Sequence, residues 1–312
     1  MSALRDRLRD YLALRRGLGF RLVEAECYLV NFCAFMEQQG ATVLTSSLAL
    51  RWAMTPSNAR PATWAGRLTV IRQFARYLKG FEPATEIPGT RLLPFRPKRC
   101  QPYLYSEEEI EALMAAAQSL PSRQALKPHT VSTLIGLLAV TGMRVSEALS
   151  MHRQDVDLET GVITIRGSKF SKSRLVALHP STVRALKEYA ARRDVCLARC
   201  RSCGPYFLPT GRGVKFAVSQ FHLAFDAVSR TVGLRTPQMR RGPRLHDLRH
   251  RFATETLLRW SRAGGQIERE MPTLSTYLGH SNIADTYWYL SAHPELLKHA
   301  ALRLERRWGG SP

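Results

Sequence analysis

Thr141-Gly-Met-Arg-Val-Ser-Glu-Ala-Leu149 places an arginine directly after a glycine break and a glutamate three residues further on. At that spacing Arg144 and Glu147 share one face of a helix, where their side chains can pair. The neighbouring residues are largely apolar, so we expect both side chains to be partly buried. The pair is either a structural ion pair or a guanidinium fork that a carboxylate orients toward phosphate oxygens. This segment alone leaves both interpretations open.

The charge of the whole chain favours a polyanionic partner. Its 312 residues include 46 Lys and Arg against 25 Asp and Glu, a formal net charge of +21. Because 45% of the residues are hydrophobic, the chain can bury real cores, and a disordered basic tail is excluded. Nucleic acid and an anionic membrane surface both fit the charge. We expect no membrane role, since no basic helix has a clean apolar face.

The chain is expected to be cytoplasmic. No apolar run approaches the length of a membrane span, and the first twenty residues are charged throughout, unlike a signal peptide. The six cysteines are irregularly spaced and are expected to be reduced thiols. Cys196, Cys200 and Cys203 lack an evident fourth zinc ligand, so we expect no metal there.

The predicted fold is mainly α with a small β-sheet. Residues 1–83 carry apolar positions at helical spacing, which indicates a bundle of four or five helices. Residues 84–105 are rich in proline and basic residues, which favours an extended linker. Residues 106–312 mix strands and helices, beginning at a capping box of Ser106 and Glu109.

Two strands and several helices are predicted in this second part. The strands cover residues 162–166 and 174–178 and are joined by a basic turn that contains Lys169 and Lys172. These lysines are either a solvated hairpin tip or groups that enter a DNA groove and protonate a leaving oxygen. Helices are predicted at residues 131–140, 182–192, 216–232, 248–263 and 294–307.

Two further segments combine histidine with arginine or tyrosine. His246 and Arg249 lie on one helical face; such a pair is more often a surface feature than a catalytic one, but the basic run before it favours phosphate contact. His280 follows a glycine and precedes an aromatic run that contains Tyr287 and Tyr289. Aromatic residues at helical spacing are usually core, but a tyrosine hydroxyl beside cations can attack phosphorus.

The occurrence of Arg, Lys, His-x-x-Arg, His and Tyr in this order along the chain indicates a function far more specifically than any one segment does. Four stretches resemble the signature segments of the tyrosine recombinase (phage integrase) family: residues 141–149, 166–178, 246–253 and 278–290. The resemblance implies a helical core-binding domain in residues 1–83, a linker in 84–105 and a catalytic domain in 106–312. The N-terminal part matches in character only.

The resemblance implies catalytic roles for Arg144, Lys169, His246, Arg249, His280 and Tyr289. The two arginines would grip the non-bridging oxygens of a scissile phosphate, and His246 would assist proton transfer. Tyr289, nine residues after His280, would be the nucleophile. Tyr287 should point elsewhere, since two residues turn a helix by about 200°.

Two supporting residues follow from the same comparison. The turn pattern of the family, counted back from Arg174, places Lys169 at the catalytic position and Lys172 at an auxiliary one. Which of the two lysines is catalytic stays open. Glu147 matches a supporting acidic position that orients Arg144.

The implied activity is site-specific recombination through a 3′-phosphotyrosine and a Holliday junction, with no metal or other cofactor. It would serve the integration or transposition of a mobile genetic element. Implied partners are double-stranded DNA recombination sites, three further copies in a homotetrameric synaptic complex, and accessory DNA-bending or element-encoded proteins. The last helix would contact a neighbouring protomer through Leu296, Leu297, Ala301 and Leu304. Two alternatives stay open, a type IB topoisomerase and a non-catalytic DNA-binding regulator.

Overall fold

The structure is a computed structural model that describes residues 3–93, 101–122, 125–167, 173–199, 201, 203–236, 238–239, 242–291 and 293–308. It divides into two compact units, residues 1–100 and 101–312, and the division falls inside the segment predicted as a linker. The predicted class, mainly α with a small β-sheet, is confirmed. Within the described residues, no helix is long and apolar enough to cross a membrane.

The N-terminal unit is helical, as predicted. Its described residues form α1 (Ala3–Gly17), α2 (Val23–Gln38), α3 (Ser46–Ala53) and α4 (Pro61–Leu78). Each helix turns an apolar face toward a shared core, where Phe32, Ile71 and Phe74 are fully buried. Pro61 opens α4 because the first turn of a helix needs no amide donor at that position.

The first residues of the predicted linker pack on this helical unit. The Glu86 amide donates to the Leu44 carbonyl at 2.9 Å, and the Glu86 carboxylate accepts from the Ser46 amide at 2.8 Å. The Arg72 guanidinium donates to the carbonyls of Pro88 and Gly89 at 2.7 and 2.8 Å. Residues 86–89 are therefore held by specific hydrogen bonds.

The second unit has its own apolar core, formed by helices packed around a small sheet. The predicted capping box opens the first helix: the Ser106 hydroxyl accepts from the Glu109 amide at 3.1 Å, and the Glu109 carboxylate accepts from the Ser106 amide at 2.8 Å. The helices of this part are α5 (Glu107–Gln118), α6 (Leu126–Thr141), α7 (Val145–Ala148), α8 (Pro180–Arg199) and α9 (Val218–Thr231).

The sheet is antiparallel and has the order β1-β2-β3 within the described residues. The strands β2 (Val162–Ile165) and β3 (Arg174–Ala177) confirm the two predicted ones. The strand β1 (Val156–Asp157) was not predicted, because two residues are too short to show an alternating pattern. Lys169 and Lys172, in the turn between β2 and β3, lie outside the described residues.

The last third of the chain forms a second apolar cluster within this unit. Its elements are α10 (Leu245–Arg262), α11 (Ile267–Leu278), α12 (Ala284–Tyr287), a 3₁₀ turn (Trp288–Ser291) and α13 (Pro294–Trp308). Helix α11 was not predicted, since Pro272 stands inside it and interrupts its donor pattern.

Helix α13 packs on its own chain, which differs from the expectation for Leu296. That side chain is buried in the apolar cluster beside α10, whereas Leu297 and Ala301 are exposed. The Arg262 guanidinium also donates to both carboxylate oxygens of Glu295, at 2.8 and 2.7 Å. An amphipathic helix tends to bury its apolar face, and α13 does so here through Leu296, while the side chain of Leu304 lies outside the described residues.

Candidate active site

Gly142 ends α6 and turns the chain toward Arg144. Its φ of 60° is the left-handed conformation that glycine adopts without strain. A Cβ at this position would also lie 2.5 Å from the Phe252 ring, so no larger residue fits. The turn brings Arg144 to the start of α7, with Glu147 in the first helical turn.

Arg144, Glu147 and Arg174 form one charged network in the wall of the site. Arg144 Nη1 donates to Glu147 Oε1 at 2.8 Å, and the Glu147 carboxylate also accepts from the Arg144 amide at 2.9 Å. Arg174 grips the same carboxylate through Nη1 and Nη2, at 3.0 and 2.7 Å. The predicted pair is therefore a triad, in which the Arg144 side chain keeps 28% of its surface exposed.

Glu147 stays ionised in this network although it is buried. Burial by itself would raise the pKa of its carboxyl, but the hydrogen bonds from Arg174 and from the Arg144 amide lower that pKa to about 2. The carboxylate therefore cancels one of the two guanidinium charges. The other positive charge is available to an anion at the exposed side of Arg144.

The turn after α11 is held by the same two arginines. Gly279 caps the helix in the left-handed conformation, and its carbonyl accepts from Arg144 Nη2 at 2.9 Å. Arg174 Nε donates to the Tyr277 carbonyl at 2.8 Å. A Cβ on Gly279 would lie 2.7 Å from Arg174 Nη1, so glycine lets the backbone approach the guanidinium. His280 is placed directly after this turn.

Arg249 links the turn at Gly142 to the turn after α11 through hydrogen bonds to their carbonyls. It has only 2% of its surface exposed. Its Nη1 donates to the Gly142 carbonyl and its Nη2 to the Leu278 carbonyl, both at 2.8 Å. Burial, and then the neighbouring Arg144, lowers the pKa of Arg249 to about 10, so the side chain is charged at neutral pH.

His246 and His280 lie at this cluster of arginines. His246, in the first turn of α10, is exposed and one helical turn before Arg249. His280 is half-buried and shares a 2.7 Å hydrogen bond between its Nδ1 and the Thr286 hydroxyl. Burial, followed by Arg249 and Arg144, lowers the pKa of His280 to about 4, so its ring is neutral at neutral pH.

The two tyrosines differ sharply in environment. Tyr289 has 2% of its surface exposed, whereas Tyr287 has 43%. The Tyr289 ring is stacked on the His280 ring, with centroids 6.2 Å apart and planes at 20°. Burial raises the pKa of the Tyr289 hydroxyl, and the nearby Arg249 opposes that rise. Because α12 ends at Tyr287 and a 3₁₀ turn follows, the separation of the two side chains is not that of a continuous α-helix.

Two residues of the site were missed from the sequence. Arg174 was used only to count positions in the turn, although it binds Glu147 and the Tyr277 carbonyl. His250 was passed over, and its Nδ1 lies 3.3 Å from the Tyr289 hydroxyl. A signal for His250 existed, since it follows His246 by four residues and so shares its helical face.

The three cysteines considered as zinc ligands are described in part. Cys196 is half-buried on α8 and Cys203 is exposed, both as free thiols, while Cys200 lies outside the described residues. In the parts of the chain that the structure describes, no group of three or more His, Cys, Asp or Glu could hold a metal ion.

The arrangement fits attack on a phosphodiester by a tyrosine. A phenol hydroxyl is held beside two guanidinium groups and neutral imidazoles, the groups that stabilise charge on phosphate oxygens and move protons. The helical class and this arrangement together define a recombinase-type DNA strand transferase.

The comparisons with known proteins identify the family. The model of the phage integrase family matches residues 104–295. The putative integrase/recombinase y4rB of Sinorhizobium fredii (strain NBRC 101917 / NGR234) is 49% identical over 312 residues, 99% of each chain. The tyrosine recombinase XerD of Caulobacter vibrioides is 31% identical over 243 residues, 77% of this chain and 73% of that protein. This chain belongs to the phage integrase family and is a tyrosine recombinase, an enzyme that cleaves and rejoins DNA strands.

The fold agrees with a solved relative. The integrase of transposon Tn1549, in complex with transposon right end DNA, superposes with a TM-score of 0.68 over 98% of this chain and 99% of that chain, at 16% identity. That likeness concerns the fold. The family assignment favours recombination, and neither the topoisomerase nor the regulator alternative finds support in these relatives.

Proposed function

We propose that this recombinase cuts one strand at each of its recombination sites through Tyr289, forming a 3′-phosphotyrosine and a free 5′-hydroxyl. The observation that carries the proposal is the position of Arg249, which ties together the turns that hold Arg144 and His280, and the His280 ring is stacked on that of Tyr289. The buried guanidinium of Arg249 thus holds in place the two turns that carry Arg144 and His280, the groups proposed to bind the phosphate beside the nucleophile.

Arg144 and Arg249 are proposed to bind the two non-bridging oxygens of the scissile phosphate. Both are already oriented by hydrogen bonds to carbonyls of the site turns, so little reorganisation is needed when charge develops on those oxygens. Glu147 keeps Arg144 in place from behind. Removal of one such donor is expected to cost on the order of 10²–10³ in cleavage rate.

Histidines and a lysine are proposed to handle further hydrogen bonds and protons. His280, held by Thr286, donates from its other ring nitrogen to a phosphate oxygen, and exposed His246 assists proton transfer. Lys169 protonates the departing 5′-oxygen, with Lys172 in an auxiliary role. The 5′-hydroxyl of a partner strand then attacks the phosphotyrosine, which rejoins the DNA and leads to a Holliday junction.

The partner in this proposal is double-stranded DNA. Residues 1–83 would act as a core-binding domain and residues 84–105 as a basic linker, joined to the catalytic domain of residues 106–312. The net charge of +21 supports a nonspecific clamp on the phosphate backbone. We place the reaction in the cytoplasm, in a synaptic homotetramer with accessory DNA-bending or element-encoded proteins, on the DNA of a mobile element.

A suicide substrate tests the proposal. A nick close to the cleavage site lets the short 5′-hydroxyl fragment diffuse away, so the covalent protein–DNA adduct accumulates. The wild-type protein and Tyr287→Phe should both form the adduct on denaturing gels, and Tyr289→Phe should form none while still shifting the DNA in a native gel. An adduct in Tyr289→Phe together with its loss in Tyr287→Phe would reverse the assignment.

A further inference from the structure

Within the described residues, the Tyr289 hydroxyl has a close partner, His250, outside the family's set of six residues. His250 Nδ1 lies 3.3 Å from that oxygen, which is the reacting atom of the proposed nucleophile. We propose that His250 is a further catalytic residue, which accepts the Tyr289 proton as the phenol attacks phosphorus. The inference rests on the proposed function, because it takes Tyr289 as the nucleophile.

The His250 ring packs against three aromatic neighbours. Its centroid lies 4.7 Å from that of His246, 5.1 Å from that of Trp288 and 5.5 Å from that of Tyr289. The first two contacts are edge-on, so the imidazole has little freedom to rotate away from the hydroxyl. With its proton on Nε2, the ring offers the Nδ1 lone pair to the phenol.

A proton acceptor is needed because the nucleophile is protonated. Burial raises the pKa of the Tyr289 hydroxyl above its ordinary value, so at neutral pH the phenol must lose a proton during the attack. Burial, and then His246, lowers the pKa of His250 to about 4, so its imidazole is neutral and able to accept.

The charged groups around His250 favour proton transfer once the scissile phosphate is bound. Arg244 and Arg249 add to the lowering of its pKa, and Asp247 opposes it. A scissile phosphate bound to the arginines brings negative charge that offsets their effect on the imidazole. The affinity of His250 for a proton therefore rises when substrate is present, as general-base catalysis in the transition state requires.

The other groups near Tyr289 are less suited to this task. Arg144 and Arg249 are donors only. His280 has its Nδ1 bonded to Thr286, and its ring lies nearly parallel to the phenol, at 20° and with centroids 6.2 Å apart. The lone pair of His250 lies within hydrogen-bond distance of the hydroxyl and can accept its proton.

The step balances in protons and electron pairs. The O–H bond of Tyr289 breaks, its proton moves to His250 Nδ1, and the oxygen forms a bond to phosphorus. The bond from phosphorus to the 5′-oxygen breaks, and that oxygen takes its proton from the general acid, proposed as Lys169. In rejoining, the oxygen of a 5′-hydroxyl bonds to phosphorus and gives its proton to the now neutral Lys169, while the phenolate leaves phosphorus and recovers the proton from His250.

The experiment combines chemical rescue with a modified leaving group. His250→Ala should cleave a suicide substrate about 10²-fold more slowly than wild type, and added imidazole should restore part of the rate. A 5′-bridging phosphorothioate, whose sulfur leaves without a proton, should not restore His250→Ala but should restore Lys169→Ala. If His250→Ala cleaves at the wild-type rate, or if the sulfur substrate restores it, the inference is overturned.

Control variants distinguish a catalytic role of His250 from unfolding of the variant and from failure of the proposed function. His222→Ala, an exposed histidine on α9, should cleave at the wild-type rate with no response to imidazole. If His250→Ala melts at a much lower temperature than wild type, His250→Gln keeps the volume and should show the same loss, and a wild-type rate in that variant would overturn the inference. A covalent adduct formed by Tyr289→Phe would instead contradict the proposed function itself.

Discussion

Arg174 and Glu147 form a two-pronged ion pair in the wall of the site, with Nη1–Oε1 and Nη2–Oε2 distances of 3.0 and 2.7 Å. Both side chains are almost fully buried, at 9% and 7% exposed surface. Through Glu147 the pair orients Arg144, and through its Nε Arg174 also holds the Tyr277 carbonyl beside the His280 turn. A single arginine on β3 thereby positions two groups that bind the scissile phosphate in the proposed mechanism.

Arg174→Lys should therefore slow cleavage while the chain still folds. Lysine keeps the charge but cannot make the fork and the carbonyl bond together. Each hydrogen bond to a charged group contributes about 1.5–3 kcal/mol, so a loss of at least about tenfold in single-turnover cleavage is expected. Arg262→Lys, in an exposed pair with Glu295, is the control and should cleave at the wild-type rate. Equal rates in both variants would contradict the positioning role.

Gly279→Ala should lower stability and cleavage together. The left-handed conformation alone costs a non-glycine residue about 1–2 kcal/mol, and the added Cβ would also meet Arg174 at 2.7 Å. Gly264→Ala is the matched control, because its φ is +74° and no atom lies within 4 Å of an added Cβ. In urea unfolding, Gly279→Ala should lose more free energy than Gly264→Ala, and only the former should lose cleavage. Equal losses would contradict the close approach.

Glu147 should contribute to stability in a defined window of pH. Its folded pKa of about 2 lies below the ordinary value of 4.5, so its contribution is present above pH 4.5 and is lost as the pH falls toward 2. The difference in free energy of unfolding between wild type and Glu147→Gln should therefore shrink over that range. A difference that stays constant with pH would show that ionisation of Glu147 does not stabilise the fold.

The two turn lysines can be distinguished by the leaving group. Lys169→Ala should be slow on an ordinary phosphodiester and fast on a 5′-bridging phosphorothioate, because sulfur needs no general acid. Lys172→Ala should show a smaller loss and little restoration. The opposite pattern would assign the general acid to Lys172.

Much of the site could be predicted because its residues lie in short local motifs. The spacing of His246 and Arg249, and of His280 and Tyr289, is visible along the chain, and the fold class followed from helical periodicity and two strand patterns. The contacts that organise those motifs are not local: Arg249 binds the carbonyl of Gly142, 107 residues away in the chain. The spacing of residues along the chain cannot predict a hydrogen bond over such a separation.

Other features were missed for equally physical reasons. Helix α11 contains Pro272, which local propensity treats as a break, while tertiary packing of Met271 and Leu274 stabilises the helix. Leu296 was expected on a neighbouring protomer together with three other residues of α13, but it packs in the chain's own apolar cluster, because sequence periodicity shows that a face is apolar and not what covers it.

The central claim is that Tyr289 carries the DNA as a 3′-phosphate. The most direct measurement traps the adduct on a suicide substrate, digests the protein and the DNA, and sequences the modified peptide by mass spectrometry. One modified peptide is expected, from the segment around residues 284–291, with a nucleotide 3′-phosphate on Tyr289. A modification on Tyr287, or a 5′-phosphate linkage on any residue, would contradict it.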